Sequence, residues 1–175
     1  MIAVDVPVLV ELLTEELPPK SLNKLSQAFA GEIFNGLIQH QLKQRDFTGW
    51  RLFATPRRLA VSIPKVLSVA NDRQSEMSGP SVSAAPQAVA GFAKKHGVDV
   101  KALEQRDTPK GKFFFANVTV KGVALNAVLA NMVSDALKKL PIPKVMRWGS
   151  GDAQFVRPVH GLVMMHGTRV VPGKV

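Results

Sequence analysis

Apolar residues recur at steps of three and four in two long stretches of the chain, residues 22–42 and 125–140. This spacing places them on one face of an amphipathic α-helix, so each stretch predicts a helix. Pro141 prevents the second helix from continuing, because proline lacks a backbone N–H and clashes with the preceding turn. A shorter helix is expected over residues 87–96, where Gly97 follows as a residue suited to a left-handed helix end.

Runs rich in valine, leucine and other strand-forming residues predict strands between these helices. A tight turn at Pro56 joins two of them, and Pro64 is expected to end the second. Because strands and helices alternate irregularly and several neighbouring strands have short connections, we expect an α+β fold. Its predicted form is a mixed, largely antiparallel sheet packed with two main amphipathic helices. The predicted strands are residues 8–13, 50–54, 59–63, 113–120 and 159–165, with a further start at 169–171.

The chain is long enough for one core, so we predict a single α+β region over residues 1–175. Within it, residues 68–86 are dominated by Ser, Asn, Asp, Gly, Pro and Ala, a composition typical of a long, mobile loop. The residues after 168 have the pattern of a new strand or linker. We therefore expect a further domain to start after 168, in a chain that is a piece of something longer.

The composition carries 23 Lys and Arg against 13 Asp and Glu, a formal net charge of +10. Such an excess favours polyanions through counterion release and steering, without indicating which polyanion. The chain has no cysteine, which excludes disulfides and thiolate metal sites and fits a reducing compartment. No apolar run reaches the length of a membrane span, and the first ten residues lack the pattern of a signal peptide. We expect a cytoplasmic protein without a membrane partner.

The most unusual chemistry lies in residues 140–163, LPIPKVMRWGSGDAQFVRPVHGLV. Proline residues stiffen this segment, and arginine offers planar, bidentate donors to phosphate or carboxylate. Two further arginines lie at the rigid turn beside Pro56. The alternative is structural, with arginines that pair with local acids, cap carbonyls or lie at a solvated hairpin tip. We predict seven side chains that contact RNA or another anion: Arg57, Arg58, Lys144, Arg147, Trp148, Arg157 and His160.

Three carboxylates, Glu11, Glu15 and Glu16, cluster at the end of the first predicted strand. Such a cluster is able to bind Mg²⁺ or to perform acid–base chemistry. The structural alternative, which we favour, is that these acids lie near a helix N-terminus and stabilise its dipole.

Asp152, Arg157 and His160 form a second hypothetical acid–base group, since histidine titrates near neutrality and an aspartate is able to orient it. Against an enzymatic site, the sequence lacks a cysteine nucleophile, a Gly-x-Ser-x-Gly elbow, a phosphate loop and a dinucleotide fingerprint. Its histidine spacing also matches no common zinc pattern. We predict no catalytic residue, no metal site and no cofactor within this chain.

Three long blocks in the chain resemble one family. The blocks are VELLTEELPPKSL from Val10, RLFATPRRLAV from Arg51 and KKLPIPKVMRWGSGDAQFVRPVHGLV from Lys138, with SGPSVSAA and GFAKKHGV between them. In this order they resemble the N-terminal region of the β subunit of bacterial glycyl-tRNA synthetase, over about residues 8–171. The chain departs from the family pattern at Leu12-Leu13, where the family has isoleucine-glycine, and at Gly161, where the family usually has an aromatic residue.

The resemblance implies a role in an α2β2 ligase that attaches glycine to tRNA(Gly). It places the ATP and Mg²⁺ of the reaction at the α subunit and tRNA binding on the β subunit. This chain is then an N-terminal, non-adenylating part, whose partners are the α subunit, tRNA(Gly) and the remainder of the β subunit. Two alternatives stay open: a scaffold or α-docking region with buried arginines, and a hydrolytic module similar to an editing domain.

Overall fold

The computed structural model describes residues 5–44, 49–141, 146–147, 154–155 and 158–174. Instead of the single region that the sequence predicts, the chain forms two compact units. The first unit consists of Met1–Asn71 and Val123–Val175, and the second of Asp72–Gly122. The second unit is therefore an insertion in the sequence of the first. No described helix is both long enough and apolar enough to cross a membrane.

The described helices and strands agree with an α+β fold in which every strand pair is antiparallel. In the first unit they are β1 (Asp5–Thr14), α1 (Leu22–Gln39), β2 (Arg51–Thr55) and β3 (Arg58–Leu67). The second unit contains β4 (Arg73–Ser81), α2 (Pro86–His96), β5 (Glu104–Thr108) and β6 (Gly111–Val120). The chain then returns to the first unit with α3 (Leu125–Lys138), β7 (Met146–Arg147), β8 (Gln154–Phe155), β9 (Val159–His166) and β10 (Arg169–Val170).

The first unit is built on a five-stranded sheet with the order β10-β9-β1-β3-β2. Alternate residues of the central strand, Val8, Val10 and Leu12, are fully buried. They belong to one apolar core with the inward stripe of α1, which includes Phe29 and Ile33. The two main amphipathic helices that the sequence predicts are thereby confirmed as the layer that covers one face of the sheet.

A close approach between α1 and α3 depends on a glycine. A Cβ placed on Gly36 would lie 2.8 Å from Sδ of Met132. That separation is shorter than real side-chain contacts, so a residue with a Cβ at position 36 requires the Met132 side chain or the helices to move.

The prediction that Pro64 ends its strand is wrong, because β3 continues to Leu67. The register changes here, since Ile63 pairs with Val8 whereas Val66 pairs with Val6. Two residues of β3 therefore face one residue of β1, which is a β-bulge, and Lys65 within it has a φ of 54°. A bulge accommodates a proline that has no N–H to give to the ladder.

The second unit contains a three-stranded sheet with the order β4-β6-β5. Ala116 and Val118 of β6 are buried on the same side as Val89 and Ala93 of α2. The helix ends as the sequence predicts, at Gly97, whose φ is 66°. At the boundary of the unit, Asp72 accepts hydrogen bonds from the Lys121 ammonium and the Gly122 amide.

The prediction of a long loop over residues 68–86 is wrong, because β4 occupies Arg73–Ser81 and pairs along β6. Sequence analysis also missed β5, Glu104–Thr108. Both strands are largely polar, and β5 is also largely exposed, so they lack the apolar alternation from which strands are recognised. Pairing with the more apolar β6 determines their conformation instead.

The residues after 168 continue the first sheet. Arg169 and Val170 pair with β9, and Val171 is buried in the core of the first unit. Residues 169–171 thus belong to the first unit, and the start of a further domain after 168 stays a prediction.

Leu13 and Gly161, two positions at which the sequence is expected to depart from the family it resembles, meet in space. Leu13 of β1 and Gly161 of β9 are directly paired across the two strands. A Cβ on Gly161 would lie 3.0 Å from Cδ1 of Leu13. The leucine therefore fills the space above the glycine, and a larger residue at 161 requires Leu13 to move.

Candidate functional site

Three separate connections of the first unit meet at one end of its sheet. Their backbones are joined by three hydrogen bonds that fall outside the regular ladders. The amide of Thr14 donates to the Arg57 carbonyl at 2.9 Å, and the amide of Glu15 donates to the Pro158 carbonyl at 3.0 Å. The amide of Leu17 donates to the Pro56 carbonyl at 2.6 Å. The segments TEELPP, ATPRR and PVHG thus converge, although they are far apart in sequence.

The side chains of these connections form a group of ion pairs that we call the strand-end cluster, Glu11, Glu15, Glu16, Arg57, Arg58 and His160. Arg58 donates from Nη1 to Oε1 of Glu11 at 2.9 Å. Nη2 of Arg57 lies 3.8 Å from a carboxylate oxygen of Glu15 and 3.8 Å from one of Glu16. Arg58 is therefore held by a direct hydrogen bond, whereas Arg57 lies between two carboxylates at longer range.

The side chains of the cluster are not buried. The side chain of Arg57 is 65% exposed and that of Arg58 is 59% exposed, whereas Glu11 is only 21% exposed. Ion pairs between exposed groups contribute about 0–1 kcal/mol each, because water screens them and two long side chains must be ordered. The ion pairs fix the directions of the side chains more than they stabilise the fold. The outer edges of the Arg57 and Arg58 guanidinium groups stay accessible.

The cluster has no excess of positive charge. Two arginines face three carboxylates, and His160 adds a positive charge only when it is protonated. This pairing agrees with the structural alternative for Arg57 and Arg58. It differs from an open basic patch, in which phosphate would meet cations without competing carboxylates.

His160 takes a different partner from the one considered in the sequence. Its Nε2 lies 2.7 Å from Oε1 of Glu15, and its side chain is 57% exposed. Asp152 and Arg157, its hypothetical acid–base partners, lie outside the described residues. In the part of the chain that the structure describes, no group of three or more His, Asp or Glu residues is arranged to hold a metal ion.

The interpretation of the three carboxylates as helix-dipole partners is wrong. Neither the 3₁₀ turn at Pro19–Ser21 nor α1 has an acidic residue in its first turn. Glu11 lies within β1, and Glu15 and Glu16 lie in the connection that follows. They instead face the arginines of the β2–β3 turn, which the sequence placed in a different segment.

The remaining members of the predicted contact set are not tested. Lys144, Trp148 and Arg157 lie outside the described residues. Arg147 is described only by its backbone, which pairs with Gln154 in the short β7–β8 hairpin. The structure thus brings together Arg57, Arg58 and His160 and adds the three glutamates. The sequence singled out the glutamates as a cluster but contained no signal for their pairing with a turn some 40 residues away.

Comparison with known proteins gives the family of the chain. The family model described as glycyl-tRNA synthetase beta subunit matches residues 8–175. A glycine–tRNA ligase beta subunit from Aromatoleum aromaticum is 48% identical, over 96% of this chain and 25% of the relative. The same subunit from Pseudoalteromonas atlantica is 42% identical, over 95% of this chain and 25% of the relative. The chain spans about a quarter of the length of these curated relatives, and it belongs to the glycyl-tRNA synthetase β-subunit family.

Proposed function

We propose that this chain is the N-terminal quarter of the β subunit of a glycine–tRNA ligase that attaches glycine to tRNA(Gly). The observation that carries the proposal is the match of the β-subunit family model to residues 8–175. The identity of 40–48% to relatives that bear the same subunit name supports it.

Within this proposal the chain itself does not form the glycyl-adenylate. Glycine activation with ATP and Mg²⁺ belongs to the α subunit of a heterotetramer in the cytoplasm. The partners of this chain are the α subunit, tRNA(Gly) and the remainder of the β subunit. The direct test is reconstitution of the α subunit with the full-length β subunit. Glycine should be transferred to tRNA(Gly) by the complex, and a complex that transfers none contradicts the proposal.

For the strand-end cluster we propose two different roles. Arg58, which hydrogen-bonds to the half-buried Glu11, holds the β2–β3 turn against β1. Arg57, which is more exposed and only 3.8 Å from its carboxylates, remains able to donate to a tRNA phosphate. Lys144, Arg147, Trp148, Arg157 and His160 stay candidates for the same RNA surface.

These roles separate experimentally in the complete α2β2 enzyme. Arg57→Gln should weaken tRNA binding and lower the salt slope of log K by about one, because one phosphate contact is lost. Arg58→Gln should lower the melting temperature and leave the salt slope unchanged. Lys110→Gln, which removes another exposed cation in the second unit, is the matched control for general charge loss.

The scaffold function is the second candidate, and the Arg58–Glu11 hydrogen bond of 2.9 Å favours it. If Arg57→Gln binds tRNA with unchanged affinity and slope while melting earlier, both arginines serve the framework. Equal loss of affinity in Arg57→Gln and Lys110→Gln would instead indicate diffuse electrostatic attraction without a specific contact.

A further inference from the structure

The five-stranded sheet has a second face, opposite the helices, that no described helix of the first unit covers. Residues of β1 alternate between the two faces, so Leu9, Glu11 and Leu13 point away from the buried Val8, Val10 and Leu12. Residues directly opposite one another on neighbouring strands share a face, which extends this set across the sheet. We call it the outer face: Leu9, Glu11, Leu13, Arg51, Phe53, Thr55, Arg58, Ala60, Ser62, Gly161, Val163, Met165 and Val170.

The outer face is too apolar for a surface that meets only water. A solvated face of an antiparallel sheet normally alternates to polar residues. Here one row of paired residues runs through Phe53, Ala60, Glu11 and Val163. Phe53 is 52% exposed, and Val163 is half-buried.

A second row of paired residues, at the other end of the face, also carries exposed apolar side chains. Leu9 pairs with Met165, and Met165 pairs with Val170 of the edge strand. Val170 is 72% exposed, the largest exposure among the large apolar side chains of the described residues. On β1, β9 and β10 these apolar side chains are neighbours, whereas Leu9 pairs on its other side with Ser62 of β3. An exposed apolar patch of this kind marks an interaction site.

The carboxylate at the centre of this face, where an unpaired charge would be most costly to bury, is neutralised by an ion pair. Glu11 lies in the middle strand of the sheet, and its carboxylate receives the hydrogen bond from Arg58 at 2.9 Å. An unpaired carboxylate at the centre of an interface would lose its hydration without compensation. With Arg58 in place, a covering layer meets an ion pair instead.

The size of the face indicates what kind of partner covers it. Five strands about 4.8 Å apart and about five residues long give an area on the order of 400 Å². A stable interface between separate proteins needs about 800 Å² from each partner. A smaller surface suffices when the covering segment belongs to the same polypeptide, because the tether raises its effective concentration to the millimolar range.

We propose that the outer face is covered by an apolar layer from the part of the β subunit that lies beyond this chain. The proposal rests on the proposed function, since it takes the chain as one quarter of a β subunit of the length of its relatives. In the complete subunit the sheet is then the middle of three layers, between the helices α1 and α3 and the added layer.

The absence of cysteine in this chain allows a direct test with single introduced thiols. Val163→Cys and Met165→Cys each place a thiol on the outer face, and Lys110→Cys places one on an exposed turn of the second unit as the control. Maleimide labelling rates are measured in the 175-residue chain, in the full-length β subunit with its other cysteines replaced by serine, and in the α2β2 complex.

The expected result is labelling at least ten times slower in the full-length β subunit than in the 175-residue chain at both outer-face positions, with the control unchanged. Slow labelling that appears only after the α subunit is added overturns the proposal in favour of that partner. Slow labelling in the 175-residue chain also overturns it, because another part of this chain then covers the outer face. If the slow rate depends on protein concentration, a second copy of the chain covers the face instead. Fast labelling throughout, in a complex that still charges tRNA with glycine, rejects this inference and leaves the proposed function intact. A complex without charging activity rejects the proposed function itself.

Discussion

The two units have the same construction, an antiparallel sheet with helical structure on one face. They differ in the residues on the other face. In the second unit that face carries a connected set of polar side chains. Arg106 binds both Glu76 and Glu104 and lies over the ring of Phe115 with its Cζ 5.5 Å from the ring centroid. The set is completed by hydrogen bonds from Asn117 to Glu104 and from Gln74 to Thr119.

The contrast shows which sheet is complete by itself. Charged and amide groups on the second sheet satisfy one another and still meet water, so that surface needs no cover. The outer face of the first sheet carries the pair of Arg58 with Glu11 and the polar residues Arg51, Thr55 and Ser62, whereas its apolar residues on β1, β9 and β10 stay partly exposed. A sheet whose second face is apolar on three of its five strands has, over those strands, the pattern of a middle layer.

The largest expected effect separates the two faces of the first sheet. Leu12→Ala removes a fully buried side chain and should lower the free energy of unfolding by about 2–5 kcal/mol. Leu9→Ala on the outer face should cost less than about 1 kcal/mol in the 175-residue chain, because little packing is lost. Urea unfolding of both variants measures the difference. Equal losses would mean that the outer face is already packed in this chain, as the inner face is.

The next effect tests the helix layer of the same unit. Gly36→Ala brings a Cβ within 2.8 Å of Met132 and should destabilise by about 1–3 kcal/mol through overpacking. Gly31→Ala is the matched control on α1, since nothing lies within 4 Å of its Cβ. It should stabilise by about 0.5–1 kcal/mol through helix propensity. Thermal melts of the two variants should move in opposite directions, and parallel shifts would disprove the close packing of α1 on α3.

A smaller effect is expected on the outer face, where Gly161→Ala meets Cδ1 of Leu13 at 3.0 Å. Because a leucine end is able to move, the loss should be about 1 kcal/mol or less. In a Leu13→Ala background the same change should become neutral or stabilising, since alanine suits a strand better than glycine. A double-mutant cycle from urea unfolding gives the coupling, and strict additivity would show that the two side chains do not meet.

The smallest effect concerns the boundary of the second unit. The hydrogen bond from Lys121 lowers the pKa of Asp72 below its ordinary value of 3.8. Stability from this lowered pKa is present above the unfolded value and is lost as the pH falls through the folded value. Asp72→Asn should therefore melt slightly below the unaltered chain at pH 7, and the two should converge in acid below 3.8. A difference that persists or grows in acid would show that charge on Asp72 is not the cause.

Sequence analysis predicted well those elements whose buried face follows from the pattern of apolar residues within the element itself. The apolar steps of α1 and α3 and the run of β1 each face one core, so their periodicity is local. The strands β4 and β5 were missed because their side chains are mostly polar and show no apolar alternation. Their conformation depends on backbone pairing with β6, which leaves little mark in their own composition.

The candidate site shows the same limit more sharply. Sequence analysis named Arg57, Arg58 and His160 as cations and placed the glutamates in a separate acidic cluster. The fold joins them, and the contact between His160 and Glu15 spans 145 residues of sequence. No property of either residue type indicates such a contact, because it exists only where β1, the β2–β3 turn and the start of β9 reach the same end of the sheet.

The sequence by itself determined the fold class, the helices, the inner strand faces and the family of this protein, because hydrophobic periodicity and long motifs are properties of consecutive residues. Only the tertiary structure decided that the chain divides into two units, that acids and arginines neutralise one another at a strand end, and that one sheet keeps an apolar face uncovered by the described helices. These properties depend on which distant segments become neighbours, and the register between strands is set by the packing of the whole sheet.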